Sequence, residues 1–320
     1  MKSKTVPTYI VKRDLVPSGL GDKLTELWFY ATCAKIVNPD SHVLIRSTVN
    51  NTEPDRIYDL NRMNVNGIEI VPSNFISSPD TDEIDNLHMN RYISTLISPE
   101  TLCKLIKNKK DMGYMHPEIQ GKCKGFDFQR MFFQTVQKDG LTKEIVTKIY
   151  KSVCMSTKFD TGEANVPEFL EEYIGIHIRV GDKVNLHSIS VNNPDFNIKY
   201  TLNDFKKMQE NAFMYAQQQL RNGNKKFYLC SDDKLATSFF SEKLKELGTT
   251  DVYTNISTGN VTLDCMLDMM CLSKCKIVCQ LTKVSTFSLA AALIGDKPLH
   301  NFYDGPNPYL DVWDDTVNIV

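Results

Sequence analysis

The stretch that decides the fold reads Tyr173-Ile-Gly-Ile-His-Ile-Arg-Val-Gly-Asp-Lys183. Its β-branched, mostly apolar run from Ile174 to Val180 predicts a buried strand of a parallel sheet, which the turn signal Gly181-Asp182 ends. Strand side chains alternate between two faces. The β-branched residues at even positions from 174 to 180 should therefore share one face, and the residues at odd positions from 175 to 181 the other.

Arg179 should lie near the carboxyl end of this strand. An arginine that is buried without a partner is energetically costly, so its side chain needs an anion beside it. In open α/β sheets ligands bind at the carboxyl ends of the strands, and the planar guanidinium can donate two hydrogen bonds to one phosphate. The alternative interpretation is an internal ion pair between Arg179 and Asp182 or another acid.

Length and composition indicate a soluble protein with two domains. The 320 residues suffice for two α/β domains that each bury a core. Hydrophobic residues make up 42% of the chain and charged residues 24%, as in ordinary globular proteins. The formal net charge is -2 and basic residues are interspersed among acidic ones, so nothing indicates a nucleic-acid partner. We also expect no membrane span, since no run approaches about 18 apolar residues.

The cysteines and the N-terminal residues favour a cytoplasmic location. Nine cysteines is an odd number and no C-x-x-C pair occurs, which favours reduced thiols over a disulfide framework. The spacing of Cys265, Cys271, Cys275 and Cys279 matches no zinc pattern, so we expect these side chains to pack in a core. No apolar segment of a signal peptide follows Met1, and we therefore expect a naturally soluble protein.

The first half begins with a strand, a glycine-rich turn and a helix. The strand Tyr9-Ile-Val-Lys12 precedes Pro17-Ser-Gly-Leu-Gly-Asp-Lys23, and apolar residues at helical spacing follow over residues 24–34. This layout is typical of a phosphate-cradling loop, with Gly19 and Gly21 in the turn. It does not match the dinucleotide fingerprint, and a plain tight turn is the alternative.

The second half follows a more regular alternation of strands and helices, after a linker-like stretch at residues 155–168. We place the domain boundary near residue 165, which gives domains at 1–165 and 166–320. The sequence predicts strands at His42–Arg46, Ile68–Val71, Lys226–Cys230, Asp251–Thr254, Cys275–Gln280 and Pro298–Tyr303, and helices at Leu141–Cys154, Leu202–Asn222, Leu235–Leu247, Asp264–Ser273 and Leu289–Ile294. This alternation predicts a doubly wound, nucleotide-binding α/β fold for the second half.

Three polar groups in the second half follow strands or open helices. Ser231-Asp232-Asp233 follows a buried strand, and capping of the next helix by either aspartate is the alternative interpretation. Asp268 lies among apolar neighbours, where a base such as guanine would provide its carboxylate with hydrogen bonds; a helix-surface acid is the alternative. Ser285-Thr-Phe-Ser288 precedes an alanine-rich helix, so its hydroxyls and unpaired amides form either an anion site or an ordinary N-cap.

These motifs, in their order along the chain, resemble those of the fucosyltransferase superfamily, which comprises the α1,2-, α1,6- and protein O-fucosyltransferases. Residues 175–183 resemble its H-x-R-x-G/T-D signature, and Ser18–Leu24 resembles its first glycine-rich loop. S-D-D at 231–233, L-D-x-x-x-L-S at 267–273 and S-T-F-S at 285–288 resemble three further segments. The resemblance implies an α/β fold of the GT-B type, in which two Rossmann-like domains enclose a cleft, and it implies GDP-fucose as the donor substrate.

The resemblance also implies roles for individual residues. Arg179 and the start of the S-T-F-S helix would stabilise the departing phosphate, with Asp182 orienting Arg179, while His177 and Asp268 would hold guanine or ribose. The catalytic residues would be Arg179, Asp182 and His187, and the donor-binding residues would be Gly19, Gly21, Asp22, His177, Lys183, Asp232, Asp268, Ser285, Thr286, Phe287 and Ser288. No metal and no cofactor is expected, because the sole D-x-D match, Asp80-Thr-Asp82, lies in a polar loop.

Two positions depart from the family's pattern. Val180 stands where many α1,2- and α1,6-enzymes have a second arginine, so one phosphate contact is lost. His187 stands close to the position of an acidic catalytic base in the α1,6-type. Histidine can act as a base near neutral pH, and a bystander is the alternative.

The expected activity is a metal-independent, inverting transfer of L-fucose from GDP-β-L-fucose to a glycan hydroxyl. A transferase of the same fold that uses a different nucleotide sugar is one alternative. A glycan-binding module with a decayed active site is another, which Val180 and the missing acid favour. A dinucleotide-dependent oxidoreductase is disfavoured by the glycine pattern.

Overall fold

The computed structural model describes residues 8–13, 19–37, 42–47, 62–72, 143–162, 165–180, 184–185, 200–283 and 285–304. The chain divides into two compact units, Met1–Asp160 and Thr161–Val320. This division lies within the predicted linker at 155–168. Each unit is described by itself.

The first unit contains a parallel sheet and two described helices. Its elements are β1 (Thr8–Arg13), α1 (Leu20–Val37), β2 (His42–Ser47), β3 (Met63–Asn64), β4 (Ile68–Pro72), α2 (Lys143–Met155) and β5 (Lys158–Phe159). The parallel strands have the order β1-β2-β4, and β3 pairs antiparallel with β5. The predicted strands of this unit and the helix α2 are confirmed wherever residues are described, with boundaries within two residues. Helix α1 is also confirmed, but it begins four residues before and ends three residues after the predicted stretch at 24–34.

The core of the first unit lies where α1 packs against α2. Trp28 is fully buried and meets the ring of Tyr150 edge-on, with 6.2 Å between the ring centroids. Its indole N–H donates to Thr157 Oγ1 at 2.8 Å, so the one polar atom of this large side chain is satisfied inside the core. The burial of Leu24 and Leu27 on the same helix confirms the predicted helical spacing.

The described residues of the second unit form a five-stranded parallel sheet flanked by four α-helices. Its elements are a 3-10 helix (Glu168–Glu172), β6 (Ile174–Ile178), β7 (Val184–Asn185), β8 (Tyr200–Thr201), α3 (Leu202–Arg221), β9 (Lys226–Ser231), α4 (Lys234–Glu246), β10 (Asp251–Tyr253), α5 (Val261–Lys274), β11 (Ile277–Leu281), α6 (Thr286–Gly295) and β12 (Leu299–Asn301). The strand order is β10-β9-β6-β11-β12, and β7 pairs with β8.

This strand order confirms the predicted doubly wound arrangement. The chain starts at the central strand β6, moves outward through β9 to β10, and then crosses to β11 and β12 on the other side. The order therefore reverses between β6 and β11. In open α/β sheets the crevice outside the carboxyl ends of the strands at such a reversal is where ligands bind.

The two faces of β6 differ as its alternation predicts. Ile174, Ile176 and Ile178 are buried in one cluster with side chains of α3 and α4. Gly175 lies on the opposite face against α5, where an added Cβ would stand 2.9 Å from Leu272 Cδ2. The strand ends at Ile178 rather than at the predicted Val180, because the Val180 N–H donates to Asp232 Oδ1 at 2.9 Å instead of continuing the ladder.

Helix boundaries follow from local capping. Thr201 caps α3 and forms a capping box with Asp204. Helix α5 begins at Val261, three residues before the predicted start, because the Asn260 side chain accepts from the N–H of Leu263. Among the described helices, none combines the length and apolar character needed to cross a membrane.

None of the five cysteines described in this unit is in a disulfide. Cys271, Cys275 and Cys279 are buried and Cys265 is half-buried. Cys275 ends α5 with an extended backbone, so β11 starts at Ile277 instead of at the predicted Cys275. Core packing therefore accounts for the spacing of these residues.

Candidate functional site

Arg179 leaves the carboxyl end of β6 and pairs with Asp232, which follows β9. Its Nη1 lies 3.2 Å from Asp232 Oδ2, while Asp232 Oδ1 accepts the N–H of Val180 at 2.9 Å. One carboxylate thus holds both the guanidinium and the backbone where β6 ends. The side chains of Arg179 and Asp232 remain 37% and 23% exposed, so the pair lies at the surface and within reach of a ligand.

The two adjacent aspartates after β9 have separate functions. Asp233 Oδ1 accepts the N–H of Leu235 at 2.7 Å and that of Ala236 at 3.3 Å, and it therefore caps α4. Helix capping accounts for Asp233, whereas Asp232 faces Arg179. Within the described residues, Asp232 is therefore the anionic partner that the sequence analysis expected for Arg179. Asp182, which was predicted to orient Arg179, lies outside the described residues.

His177 joins the central strand to the first turn of α6. Its Nδ1 lies 2.7 Å from Ser288 Oγ and 3.4 Å from Ser285 Oγ, and its ring lies 4.8 Å from the ring of Phe287. Burial, and secondarily the charge of Arg179, lowers the pKa of His177 to about 3. The imidazole is therefore neutral at physiological pH, and it positions the start of α6 without adding charge.

The S-T-F-S segment forms the start of α6. Ser285 is the N-cap, and its Oγ accepts the N–H of Ser288 at 3.3 Å. Thr286 and Phe287 are half-buried. Because the first-turn amides of a helix lack intrahelical partners and carry partial positive charge, this end of α6 favours an anion. The N-cap interpretation is therefore confirmed, and the anion site at this segment stays a prediction.

Asp268 lies in the middle of α5 and is satisfied by protein side chains. Its Oδ1 accepts the Tyr228 hydroxyl at 2.7 Å and the Asn255 amide at 2.7 Å. Burial raises the pKa of Asp268 to about 6, although these two hydrogen bonds lower it. Tyr228 and Asn255 therefore provide the hydrogen bonds to Asp268 that the sequence analysis expected a base such as guanine to provide.

Replacing Asp268 with asparagine should stabilise the protein at neutral pH. Because the folded-state pKa is raised from 3.8 to about 6, protonated Asp268 adds stability below pH 3.8 that is lost as the pH rises through 6. Two units of pKa correspond to about 3 kcal/mol, so Asp268→Asn should raise the free energy of unfolding by about 3 kcal/mol at pH 7.5 and by about 1 kcal/mol at pH 4.5. Urea unfolding at both pH values measures this difference.

Asp264, one turn earlier on α5, provides a control of opposite sign. Burial pushes its pKa upward, but hydrogen bonds from Ser257 and Thr258 outweigh burial and hold the pKa below its usual value. A carboxylate of this kind adds stability at neutral pH that is lost on acidification. Asp264→Asn should therefore destabilise the protein at pH 7.5. If both variants shift stability in the same direction, the inferred environment of Asp268 is wrong.

The predicted donor-binding residues of the first unit lie at the start of α1. Gly19 is exposed directly before the helix, and Gly21 is buried in its first turn rather than in a loop. Asp22 follows in the same turn. A Cβ at Gly19 would meet nothing within 4 Å and its φ is not positive, so neither crowding nor backbone strain requires glycine there. Gly181, Lys183 and His187 lie outside the described residues, as Asp182 does.

The segment at the end of β11 contains polar residues that the sequence analysis did not assign. Gln280 is fully buried beside His177 in the sheet register, and within the described part of the chain neither of its amide atoms has a hydrogen-bond partner. Lys283 follows two residues after the strand ends. Gln280 lies within a predicted buried strand, as His177 does, so its polar side chain could have been identified from the sequence in the same way. Among the described residues, no group of three or more His, Cys, Asp or Glu side chains is suited to a metal ion.

Comparison with known proteins gives matches among solved structures. No protein-family model matches the sequence, and the search of curated proteins gave no match. The α1,6-fucosyltransferase NodZ of Bradyrhizobium, soaked with GDP-fucose, is 15% identical over 90% of this chain and 92% of its own, with a TM-score of 0.47. A mutant of FUT1 from Arabidopsis thaliana in complex with GDP is 13% identical over 96% and 73%, with a TM-score of 0.49. The E. coli heptosyltransferase WaaC with ADP is 12% identical over 95% and 89%, with a TM-score of 0.40.

Proposed function

We propose that this protein is an inverting glycosyltransferase that moves L-fucose from GDP-β-L-fucose to a glycan hydroxyl without a metal ion. The observation that carries the proposal is Arg179, which is held by Asp232 and remains accessible at the carboxyl end of the central strand, where the strand order reverses. The ordered motifs that resemble those of fucosyltransferases support the choice of donor.

The reaction separates charge, and the proposed site stabilises that charge. The acceptor oxygen attacks the anomeric carbon, the bond from that carbon to the β-phosphate oxygen breaks, and the acceptor proton passes to a general base. Positive charge develops on the sugar ring and negative charge on the departing GDP. Arg179 and the first-turn amides of α6 are fixed before the reaction begins, so they stabilise the leaving group without reorganisation.

Other residues would position the donor. Neutral His177 would contact the nucleoside while it holds Ser285 and Ser288 in place. Asp232 would keep the Arg179 fork oriented, and Asp268 would read guanine. Asp182 and Lys183 would assist next to Arg179, and His187 would be the general base. Gly19, Gly21 and Asp22, at the start of α1, would provide further contacts to the donor.

A donor with another base is the second candidate, and Asp268 favours it. Its Oδ1 already accepts two hydrogen bonds from within the protein, which a guanine would have to supplement or replace. A transferase of the same fold that uses a UDP- or ADP-sugar needs no carboxylate for its base. The two candidates share the diphosphate contacts and differ only in the base.

Nucleotide-dependent thermal stabilisation tests the proposal. A ligand at 100 times its dissociation constant stabilises the folded state by about 2.7 kcal/mol, which corresponds to a rise of several degrees in Tm for a chain of this size. GDP should raise the Tm, and UDP and ADP should raise it less. A metal chelator should leave all of these Tm shifts unchanged. GDP-fucose should also be hydrolysed slowly in the absence of acceptor. If UDP or ADP raised the Tm more than GDP did, that nucleotide would be the nucleotide of the donor instead of GDP. If no sugar nucleotide were hydrolysed, the protein would be a binding module.

A further inference from the structure

Asn255, Asp268 and Tyr228 form a closed triangle of hydrogen bonds that joins the loop after β10 to α5 and β9. Asp268 Oδ1 accepts the Asn255 amide and the Tyr228 hydroxyl, each at 2.7 Å, and the same hydroxyl accepts from Asn255 Nδ2 at 2.9 Å. Both bonds to the carboxylate thus use the same oxygen. The contacts hold the amide nitrogen of Asn255 against Asp268, so the orientation of both side chains is fixed.

Two acceptor oxygens beside this triangle remain able to bind a ligand. Among the described residues, none donates to Asp268 Oδ2, and this atom is not one of the fully buried polar atoms that lack a partner. Asn255 Oδ1 receives the thiol of Cys271 at 3.5 Å, which is a weak donor, and a carbonyl oxygen can accept two hydrogen bonds. Asn255 and Asp268 are both half-buried. Because Asn255 Nδ2 touches Asp268 Oδ1, the second atom of each group lies close to that contact.

The triangle lies one strand away from the strand that carries His177. β10 pairs with β9 as far as Tyr228, three residues before β9 ends at Ser231, so β10 stops about 10 Å short of the end of β9. Cys230 of β9 pairs with His177 of β6, and burial, followed by the charge of Asp268, raises the pKa of Cys230. A nucleoside whose phosphates lie at the end of β6 therefore has the triangle beside it, across β9.

Two neighbouring acceptors fit guanine better than the other common bases. Guanine has two adjacent donors on its Watson–Crick edge, the N1–H and the 2-amino group. Uracil has a single N–H there, and adenine has a single amino group next to an acceptor nitrogen. Hypoxanthine keeps the N1–H of guanine but lacks the 2-amino group. Each of these three bases would leave one of the two acceptors without a donor, which weakens binding.

We propose that Asn255 makes the site specific for guanine, because its Oδ1 accepts a hydrogen bond from the 2-amino group while Asp268 Oδ2 accepts from N1–H. The charged carboxylate pairs with N1–H, the more acidic donor, and the neutral amide oxygen pairs with the amino group. Tyr228 is a positioning residue that holds both side chains from β9. This inference rests on the proposed function and adds to it the residue that selects the base. The bonds to Asp268 Oδ1 stay in place when guanine binds.

The wild-type protein provides the first measurement. Calorimetry should show that GDP binds about 10- to 100-fold more tightly than inosine diphosphate, which differs from GDP only in the missing 2-amino group. Equal affinities for the two nucleotides would overturn the inference, and this result does not depend on the folding of any variant.

Asn255→Ala removes the acceptor, so the variant should bind GDP about as weakly as the wild type binds inosine diphosphate and should barely distinguish the two nucleotides. Ser257→Ala is the matched control in the same loop, because it removes a hydrogen bond to Asp264 instead of one to Asp268 and should keep the preference for GDP. A preference that survives in Asn255→Ala would overturn the role of Asn255. A preference lost equally in both variants would overturn the direct contact, since displacement of the loop would then explain the loss.

Turnover assays separate a failure of this inference from a failure of the proposed function. If the protein turns over GDP-fucose but binds GDP and inosine diphosphate equally, the role of Asn255 is wrong and the proposed function stands. If Asn255→Ala abolishes a preference for GDP in a protein that turns over no GDP-sugar, the guanine site is supported and the proposed activity is wrong. Tighter binding of UDP or ADP than of GDP would overturn both the proposed donor and this inference.

Discussion

Replacement of Arg179 by alanine is expected to lower the rate of donor turnover about 1,000-fold, which is the effect of removing one preorganised group that stabilises developing charge. The guanidinium would act most strongly when the β-phosphate carries its full charge in the transition state, so kcat should fall more than KM rises. Steady-state hydrolysis and transfer assays with GDP-fucose measure both constants.

The variant should keep its fold, because Arg179 lies beyond the end of β6 and is 37% exposed. Asp232 would also retain the hydrogen bond from the Val180 N–H. Arg179→Lys keeps the charge but lacks the planar fork, so it should recover only part of the activity. Arg221→Ala removes an exposed arginine from the last turn of α3 and serves as the matched control. Turnover that is unchanged in Arg179→Ala would exclude Arg179 from leaving-group stabilisation.

The central strand could be predicted because its signal is local. The isoleucines at alternate positions define the buried face, and the small Gly175 on the other face fits the close approach of α5. The caps at Thr201 and Ser285 were predictable for the same reason, since a cap depends on residues within one turn. Strand ends were less predictable, because they depend on contacts such as that between Val180 and Asp232.

The partners of charged groups could not be read from the sequence, because they depend on strand order. Asp232 and Asp233 are adjacent and chemically identical, and only the position of β9 next to β6 assigns one to Arg179 and the other to α4. Asn255 reaches Asp268 from the loop after β10, in which no motif was recognised. The contact between Lys283 and Tyr303 likewise requires β11 and β12 to be neighbours.

Gly295→Ala is expected to cause the largest loss of stability among the variants considered, about 3 kcal/mol of the free energy of unfolding, at the upper end of the usual range for overpacking. Gly295 ends α6 where it crosses the last turn of α5. A Cβ there would stand 2.0 Å from the backbone oxygen of Ser273, and a backbone atom cannot move aside as a flexible side chain can. Thermal and urea unfolding measure the loss.

Gly223→Ala provides the matched comparison for steric crowding. Gly223 follows α3 with a φ of 86°, and an added Cβ would meet nothing within 4 Å, so only left-handed backbone strain of about 1 kcal/mol is expected. Equal losses in the free energy of unfolding of the two variants would show that α5 and α6 can move apart without a further loss of stability.

The methyl group of Gly295→Ala should also affect the proposed site. If α6 shifts to accommodate this group, Ser285 and Ser288 move relative to His177, since all of α6 moves with its last residue. Gly295→Ala should therefore also weaken GDP binding at temperatures where the fold persists, whereas Gly223→Ala should leave that affinity unchanged.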